Sequence, residues 1–268
     1  MKERHNRLAL GGLCLLFGIT RQAYYQHYWQ VEETSFEQKL VVGEVRRIRK
    51  KHPRMGGRKL YELIEPFMLE HQIKMGRDAL FDLLASHGLL VRRRKRRIHT
   101  TNSFHWLRKY PNRIRDFVPT GSNQLWVSDI TYWKIETGNL YISLITDAYS
   151  HKVVGYQVAE TLEAIESIQA LEMALSLLDQ PVKGLIHHSD RGIQYCSSDY
   201  VKLLQDYDIE ISMTENGDPR ENAIAERING ILKHEYLESY TVMDLTEAKE
   251  LLEEVVQLYN EERPHMSI

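Results

Sequence analysis

At 268 residues the chain exceeds one typical domain, and none of its apolar runs approaches the roughly 20 residues needed to cross a bilayer. Its two cysteines, Cys14 and Cys196, lie far apart without CxxC or Cys/His spacing, which argues against a disulfide framework or a structural zinc, and the chain reads as soluble and cytoplasmic. The net charge of −2 conceals an asymmetry: residues 1–91 carry +5, residues 92–118 carry +9 and residues 119–268 carry −16. Local charge governs attraction to phosphate, so the middle segment points to a nucleic acid partner.

In chain order, Leu13 to Tyr28 begins with a short apolar segment, turns at Gly18 and offers Thr20 as the N-cap of a second helix, the outline of a helix-turn-helix. The polar stretch Glu32 to Ser35 then suggests a boundary. Leu40, Val41, Val45 and Ile48 predict a helix ending near His52-Pro53. A second helix follows Met55-Gly56-Gly57-Arg58, with Leu60, Leu63 and Ile64 on one face. A third spans about Gly76 to Ser86 and stops at Gly88. The expected organisation is a helical segment at 1–35, a helix-turn-helix-like three-helix module at 36–91, a linker at 92–118 and a larger domain at 119–268.

The linker holds six consecutive cations, Arg92, Arg93, Arg94, Lys95, Arg96 and Arg97, followed by Trp106 and Tyr110 among further basic residues. Cations at this density resist burial in a core and neutralise phosphates, while the aromatic rings offer stacking surfaces for bases. A solvated linker is the plain alternative.

From Asn123 the pattern changes to strands at Leu125–Ile135, Leu140–Asp147 and Lys152–Ala159, separated by Gly138-Asn139 and Tyr149-Ser150. A helix at about Glu163–Leu178, a strand at Gly184–His188, a helix at Ser198–Asp206, a strand at Glu210–Met213 and two final helices complete the chain. This is an α/β domain with a mixed five-stranded sheet of the ribonuclease H type, preceded by all-α modules and a basic linker.

Three acids stand out in it. Asp129 and Asp190 lie toward the ends of apolar strands, and Glu226 falls on a helix with 35 residues between it and Asp190. Asp218-Pro219-Arg220-Glu221 reads as a helix start with a capping box. At 100° per residue, Asn222, Glu226, Asn229 and Lys233 then share one face, while Ile224, Ile228 and Ile231 form another. Lys233 is thus a candidate phosphate contact. His187 and His188 either touch substrate, orient Asp190 or are structural; Trp126 reads as core, and Arg263 and His265 either contact DNA or pack the last helix.

Together, Trp126-x-x-Asp129-Ile-Thr, His188-Ser-Asp190-Arg-Gly, Asn222-Ala-x-x-Glu226-Arg, Lys233 and Tyr259-Asn-x-x-Arg263-Pro-His265 resemble the DDE transposases of bacterial insertion sequences. The narrower resemblance is to OrfB-type proteins whose core is similar to retroviral integrase, and it covers nearly the whole chain. Where the family commonly has Asp before Asn-Ala, this chain has Glu221, and it stops at Ile268 where relatives continue a short way, which reads as a shortened end. The resemblance implies that Asp129, Asp190 and Glu226 hold two Mg²⁺ ions, with Mn²⁺ as a substitute, for strand cleavage and strand transfer at element ends. It also implies an OrfA-type partner protein and a homo-oligomer on DNA. The competing readings are a DNA-binding regulator with a vestigial core and a ribonuclease H-like nuclease that cuts without joining.

Overall fold

A computed structural model describes residues 10–91, 106–178, 182–215 and 219–265. By contacts the chain divides into Met1–Lys50 with Gly56–Val91, and Lys51–Met55 with Arg92–Ile268. No helix among the described residues is long and apolar enough to cross a membrane.

The first unit is helical. Helix α1 (Leu10–Leu16) ends at Gly18, whose φ of +66° suits a residue without Cβ, and Thr20 Oγ1 accepts the Ala23 N–H at 3.0 Å to start α2 (Arg21–Lys51). The expected boundary at Glu32–Ser35 is absent, because α2 runs through it without interruption for 31 residues. That stretch is polar but contains neither glycine nor proline, so nothing in it breaks a helix. Helices α3 (Gly57–Glu70) and α4 (Arg77–Ser86) pack with α2 around Val41, Val45, Leu60, Ile64, Leu80 and Leu84, all fully buried. A Cβ at Gly57 would stand 2.8 Å from the tip of the Phe81 ring, so a larger residue at that crossing would have to displace the ring.

The second unit is built on a sheet ordered β3-β2-β1-β4-β5. Strands β1 (Leu125–Ile135), β2 (Gly138–Asp147) and β3 (Val153–Ala159) form an antiparallel meander, while β4 (Ile186–Ser189) and β5 (Glu210–Met213) join parallel to β1. Gly138 and Asn139, expected as the first turn, are instead the opening residues of β2, and Ile135 pairs with Gly138 around Glu136-Thr137. The second turn is held by Asp147, whose Oδ1 accepts from the Ser150 N–H and hydroxyl at 2.7 Å each.

Alternation along β1 sends Trp126 to one face and Trp133 to the other, and both are fully buried. Trp126 packs with α5 (Ala164–Ser176) and α6 (Ser198–Asp206); Trp133 packs with α7 (Ala223–Ile231) and α8 (Leu245–Glu261). Helix α5 lies so close to β3 that a Cβ at Gly155 would stand 2.1 Å from the Ala170 carbonyl oxygen.

Residues 106–118 carry no helix or strand, yet they are tied to this unit. Ser212 Oγ accepts the Arg113 N–H at 2.9 Å, the Arg113 and Arg115 guanidinium groups pair with Glu210 and Glu215 at 3.0 Å each, and Ile114 and Phe117 pack beside Val127 and Ala225. This part of the basic segment is an arm of the acidic core. Trp106 is 91% exposed, whereas Tyr110 packs onto the α5/α6 side. Arg92, Arg93, Arg94, Lys95, Arg96 and Arg97 lie outside the described residues.

Candidate active site

Parallel pairing of β1 with β4 brings two of the three acids together. Ser128 pairs with Ser189, so Asp129, which sits within β1 opposite Leu144 rather than at a strand end, comes level with Asp190, the residue just after β4. Both line one cleft, with a volume of about 260 Å³. Gly192 N–H donates to Asp190 Oδ1 at 2.9 Å, closing the turn after β4; a Cβ at Gly192 would sit 2.9 Å from that oxygen.

Helix α7 supplies the third acid. Its polar face turns toward β1: Asn222 Nδ2 donates to the Ser128 carbonyl at 2.9 Å, and Asn229 Nδ2 donates to Asp129 Oδ2 at 2.7 Å. One further turn along, Lys233 Nζ donates to the Tyr132 carbonyl at 2.6 Å and stands 3.7 Å from the centre of the Tyr132 ring. Glu226 lies on this same face and is half-buried. Buried Ile228 and partly buried Ile224 and Ile231, from the helix's apolar side, join the core cluster that also takes in side chains of β2 and α8.

The capping box read from the sequence begins at Asp218, which lies outside the described residues. A 3₁₀ turn at Pro219–Asn222 precedes the α-helix, and Glu221 Oε2 accepts the N–H of Glu215. At the other end Leu232–Tyr236 widens into a π-helical turn, so Lys233 meets β1 through a change of pitch.

Electrostatics mark Asp129 as the focal carboxylate. Burial chiefly, then the Asp190 charge and more weakly Glu226, push its pKa up to about 7, against the opposing bonds from Asn229 and the Ile130 N–H. Like charges facing one another across an oxygen-only donor set are relieved by a hard cation, which is the fit expected of Mg²⁺ or Mn²⁺. Among the described residues, no group of three or more acids, histidines or cysteines stands close enough to hold a metal as a finished cluster.

Two matches to integrase core domain family models cover residues 119–219 and 207–268. An insertion element IS600 uncharacterized 31 kDa protein of Shigella sonnei is 35% identical over 258 residues, spanning 94% of this chain and 93% of that protein. The chain belongs to the insertion-sequence transposases with an integrase core. The transposase for insertion sequence element IS629 of Shigella sonnei is 29% identical over 87% of this chain and 79% of its own length. Among solved structures, the HTLV-2 integrase catalytic core domain in complex with magnesium covers 55% of this chain and 92% of that chain, with 22% identity and a TM-score of 0.44.

In this transposase family member the histidines beside Asp190 are structural. His187 Nε2 lies 2.7 Å from Ser128 Oγ and 2.9 Å from the Tyr200 hydroxyl, and His188 Nδ1 lies 2.8 Å from Ser212 Oγ. Burial depresses their pKa values to about 3 and about 4, so both are neutral and brace β1, β4, β5 and α6. Arg263 is likewise a packing residue: it is buried and grips Glu235 through two bonds of 3.0 and 3.1 Å.

Sequence reasoning placed Asn222 and Asn229 on the right face without giving either a task. It missed Tyr195 altogether, a fully buried side chain lining the acid cleft. The alternation and spacing of its segment carried no signal for it.

Proposed function

We propose that Asp129, Asp190 and Glu226 are the acid triad of this DDE transposase, a polynucleotidyl transferase that cuts DNA at insertion-sequence ends and transfers the strand to target DNA. The observation that carries the assignment is the β1–β4 register, which sets Asp129 beside Asp190 under a helix face bearing Glu226. The three carboxylates would hold two Mg²⁺ ions, with Mn²⁺ as a substitute. Such ions would supply activation of the attacking oxygen and relief of charge on the leaving oxygen in displacement at phosphorus.

The chain's own residues prepare that chemistry. Asn229 holds Asp129 Oδ2 and the Ile130 N–H holds Oδ1, while the Gly192 N–H holds Asp190 Oδ1, so both carboxylates are oriented before a ligand arrives. Lys233, half-buried, is held against the rim by Tyr132 and would meet a phosphate oxygen after exchanging its carbonyl partner. The core carries −16, so DNA must be held largely by other parts of the chain; Arg92, Arg93, Arg94, Lys95, Arg96 and Arg97 supply the phosphate contacts, and the N-terminal helices contribute to recognition. An OrfA-type partner protein completes end recognition, and the active form is a homo-oligomer across two DNA ends.

The test is incubation of the protein, with and without an OrfA-type partner, on labelled element-end DNA. Metal-dependent nicking followed by joining of the freed end supports the transposase reading. DNA binding without either product in Mg²⁺ or Mn²⁺ would support a regulator with an inactive core.

A further inference from the structure

The link between α2 and α3, Lys51–Met55, groups by its contacts with the second unit, while α3 and the rest of α2 belong to the first. Pro53 disfavours helical backbone at His52, and the chain turns there with His52 and Met55 buried, at 2% and 0% exposure. The link is bonded inside the second unit. His52 Nδ1 lies 2.9 Å from the Tyr236 hydroxyl, the Arg54 N–H donates to the Glu235 carbonyl at 3.2 Å, and Lys51 Nζ pairs with Glu262 at 2.6 Å.

Glu235 and Tyr236 are the last residues of the π-helical turn Leu232–Tyr236, and Lys233 is its second. One turn therefore faces two ways: the link holds its end, while its start sends Lys233 to the Tyr132 carbonyl on β1. Turns of this pitch are rare, come singly and gather at functional sites. Burial lowers the His52 pKa against the opposing Glu262 charge, so the ring is neutral at pH 7. With the ring proton on Nε2, 3.5 Å from the Glu262 carboxylate, Nδ1 accepts the Tyr236 hydroxyl. That bond is directional and lies in a low-dielectric core, so it fixes the fully buried Tyr236, and with it the turn, in one position.

Resting on the transposase reading, in which Lys233 meets a phosphate beside the acids, we propose that His52 is a positioning residue: through its bond to Tyr236 it fixes the π-helical turn and so holds Lys233 at the rim of the cleft. The link between α2 and α3 is a brace of the catalytic unit, not a spacer. Its loss frees Lys233 without touching Asp129, Asp190 or Glu226.

The experiment uses the full chain with Tyr236→Phe and His52→Phe, which remove the bond from either side and keep an aromatic ring, and with His52→Asn, which keeps a hydrogen-bonding end. Reductive methylation of lysines, read by mass spectrometry without DNA or metal, reports the freedom of Lys233. Its rate at half-buried Lys233 is expected to rise several-fold in both Phe variants and to return toward the wild-type rate in His52→Asn, with exposed Lys202 unchanged throughout. Mg²⁺-dependent cleavage of element-end DNA is expected to fall by between about ten and a hundredfold in the Phe variants, the scale of a lost supporting contact, with the half-maximal Mg²⁺ concentration unchanged. In a Lys233→Ala background Tyr236→Phe is expected to cause no further loss, because both substitutions act through one group. An unchanged Lys233 rate in both Phe variants, wild-type cleavage by a variant that has freed Lys233, the full further loss in the Lys233→Ala background, His52→Asn matching His52→Phe, or loss of the cooperative melt in both Phe variants overturns the proposal. Wild-type protein that cleaves nothing while the Phe variants free Lys233 supports the brace and overturns the catalytic assignment alone.

Discussion

The side-chain amide of Asn229 donates to Asp129 Oδ2 at 2.7 Å, linking helix α7 to the strand carrying the first acid. The bond favours the charged carboxylate, opposing the burial and the Asp190 charge that raise its pKa. Residues that orient a metal-binding carboxylate typically change metal affinity or activity about 10–100-fold when lost. Asn229→Ala is therefore expected to raise the Mg²⁺ concentration needed for half-maximal cleavage by about tenfold, within that range. DNA affinity measured without metal should stay the same. An unchanged Mg²⁺ requirement would show that the bond has no part in holding Asp129.

The raised pKa of Asp129, at about 7, gives the metal site a pH dependence. A cation must displace the proton, so apparent Mg²⁺ affinity is expected to climb up to about pH 7 and then level off. For the metal-free fold the sign is opposite. A carboxylate with a folded pKa above its unfolded value binds more protons when folded, so its contribution to stability falls as pH rises from the ordinary 3.8 to about 7. Asp129→Asn is accordingly expected to raise the melting temperature of metal-free protein at pH 8, with the gain shrinking toward pH 4. Thermal melts across that range check it.

His187 and His188 act in the other direction. Their folded pKa values, about 3 and about 4, lie below the ordinary 6.5, so the unfolded chain takes up protons first. The stability they contribute is complete above pH 6.5 and is lost as pH falls toward those folded values, by about 1.4 kcal/mol per pH unit for each group. His187→Gln, which keeps a hydrogen-bonding side chain near Ser128 and Tyr200, is expected to flatten the loss between pH 6 and pH 4. Urea unfolding at three pH values measures the slope.

Gly155 tests the packing of α5 on the sheet. With the Ala170 carbonyl oxygen 2.1 Å from the position of an added Cβ, and that oxygen part of the helix backbone, relief requires moving α5. Overpacking of this kind costs about 1–3 kcal/mol, and Gly155→Ala should sit at the upper end in urea denaturation. A change below about 0.5 kcal/mol would mean that the helix shifts freely.

Local chemistry explains which parts of this molecule were legible in its sequence. Helix α6 and strand β5 appear at the bounds read from the residues, because Ser197 caps the helix and the apolar alternation is unbroken. The polar face was also legible, since helical periodicity groups Asn222, Asn229 and Lys233 and all three meet β1, Lys233 through a π-helical turn that periodicity does not foresee. The register that joins Ser128 to Ser189 was not, because pairing between strands more than fifty residues apart leaves no local trace. The bond by which Glu221 accepts the Glu215 N–H was not legible either, because it joins the helix start to the end of β5 across a loop without periodic pattern. The continuity of α2 was hidden by a run whose polarity resembles a loop but whose residues tolerate a helix.

The most direct test of the catalytic assignment replaces the three acids singly, as Asp129→Asn, Asp190→Asn and Glu226→Gln, and measures Mg²⁺-dependent cleavage of element-end DNA alongside DNA affinity. The account predicts a loss of cleavage of at least about a thousandfold in each, the scale on which removing charge stabilisation at a transition state acts, with DNA affinity kept or raised as negative charge leaves the cleft. Cleavage at the wild-type rate by any of the three would contradict it.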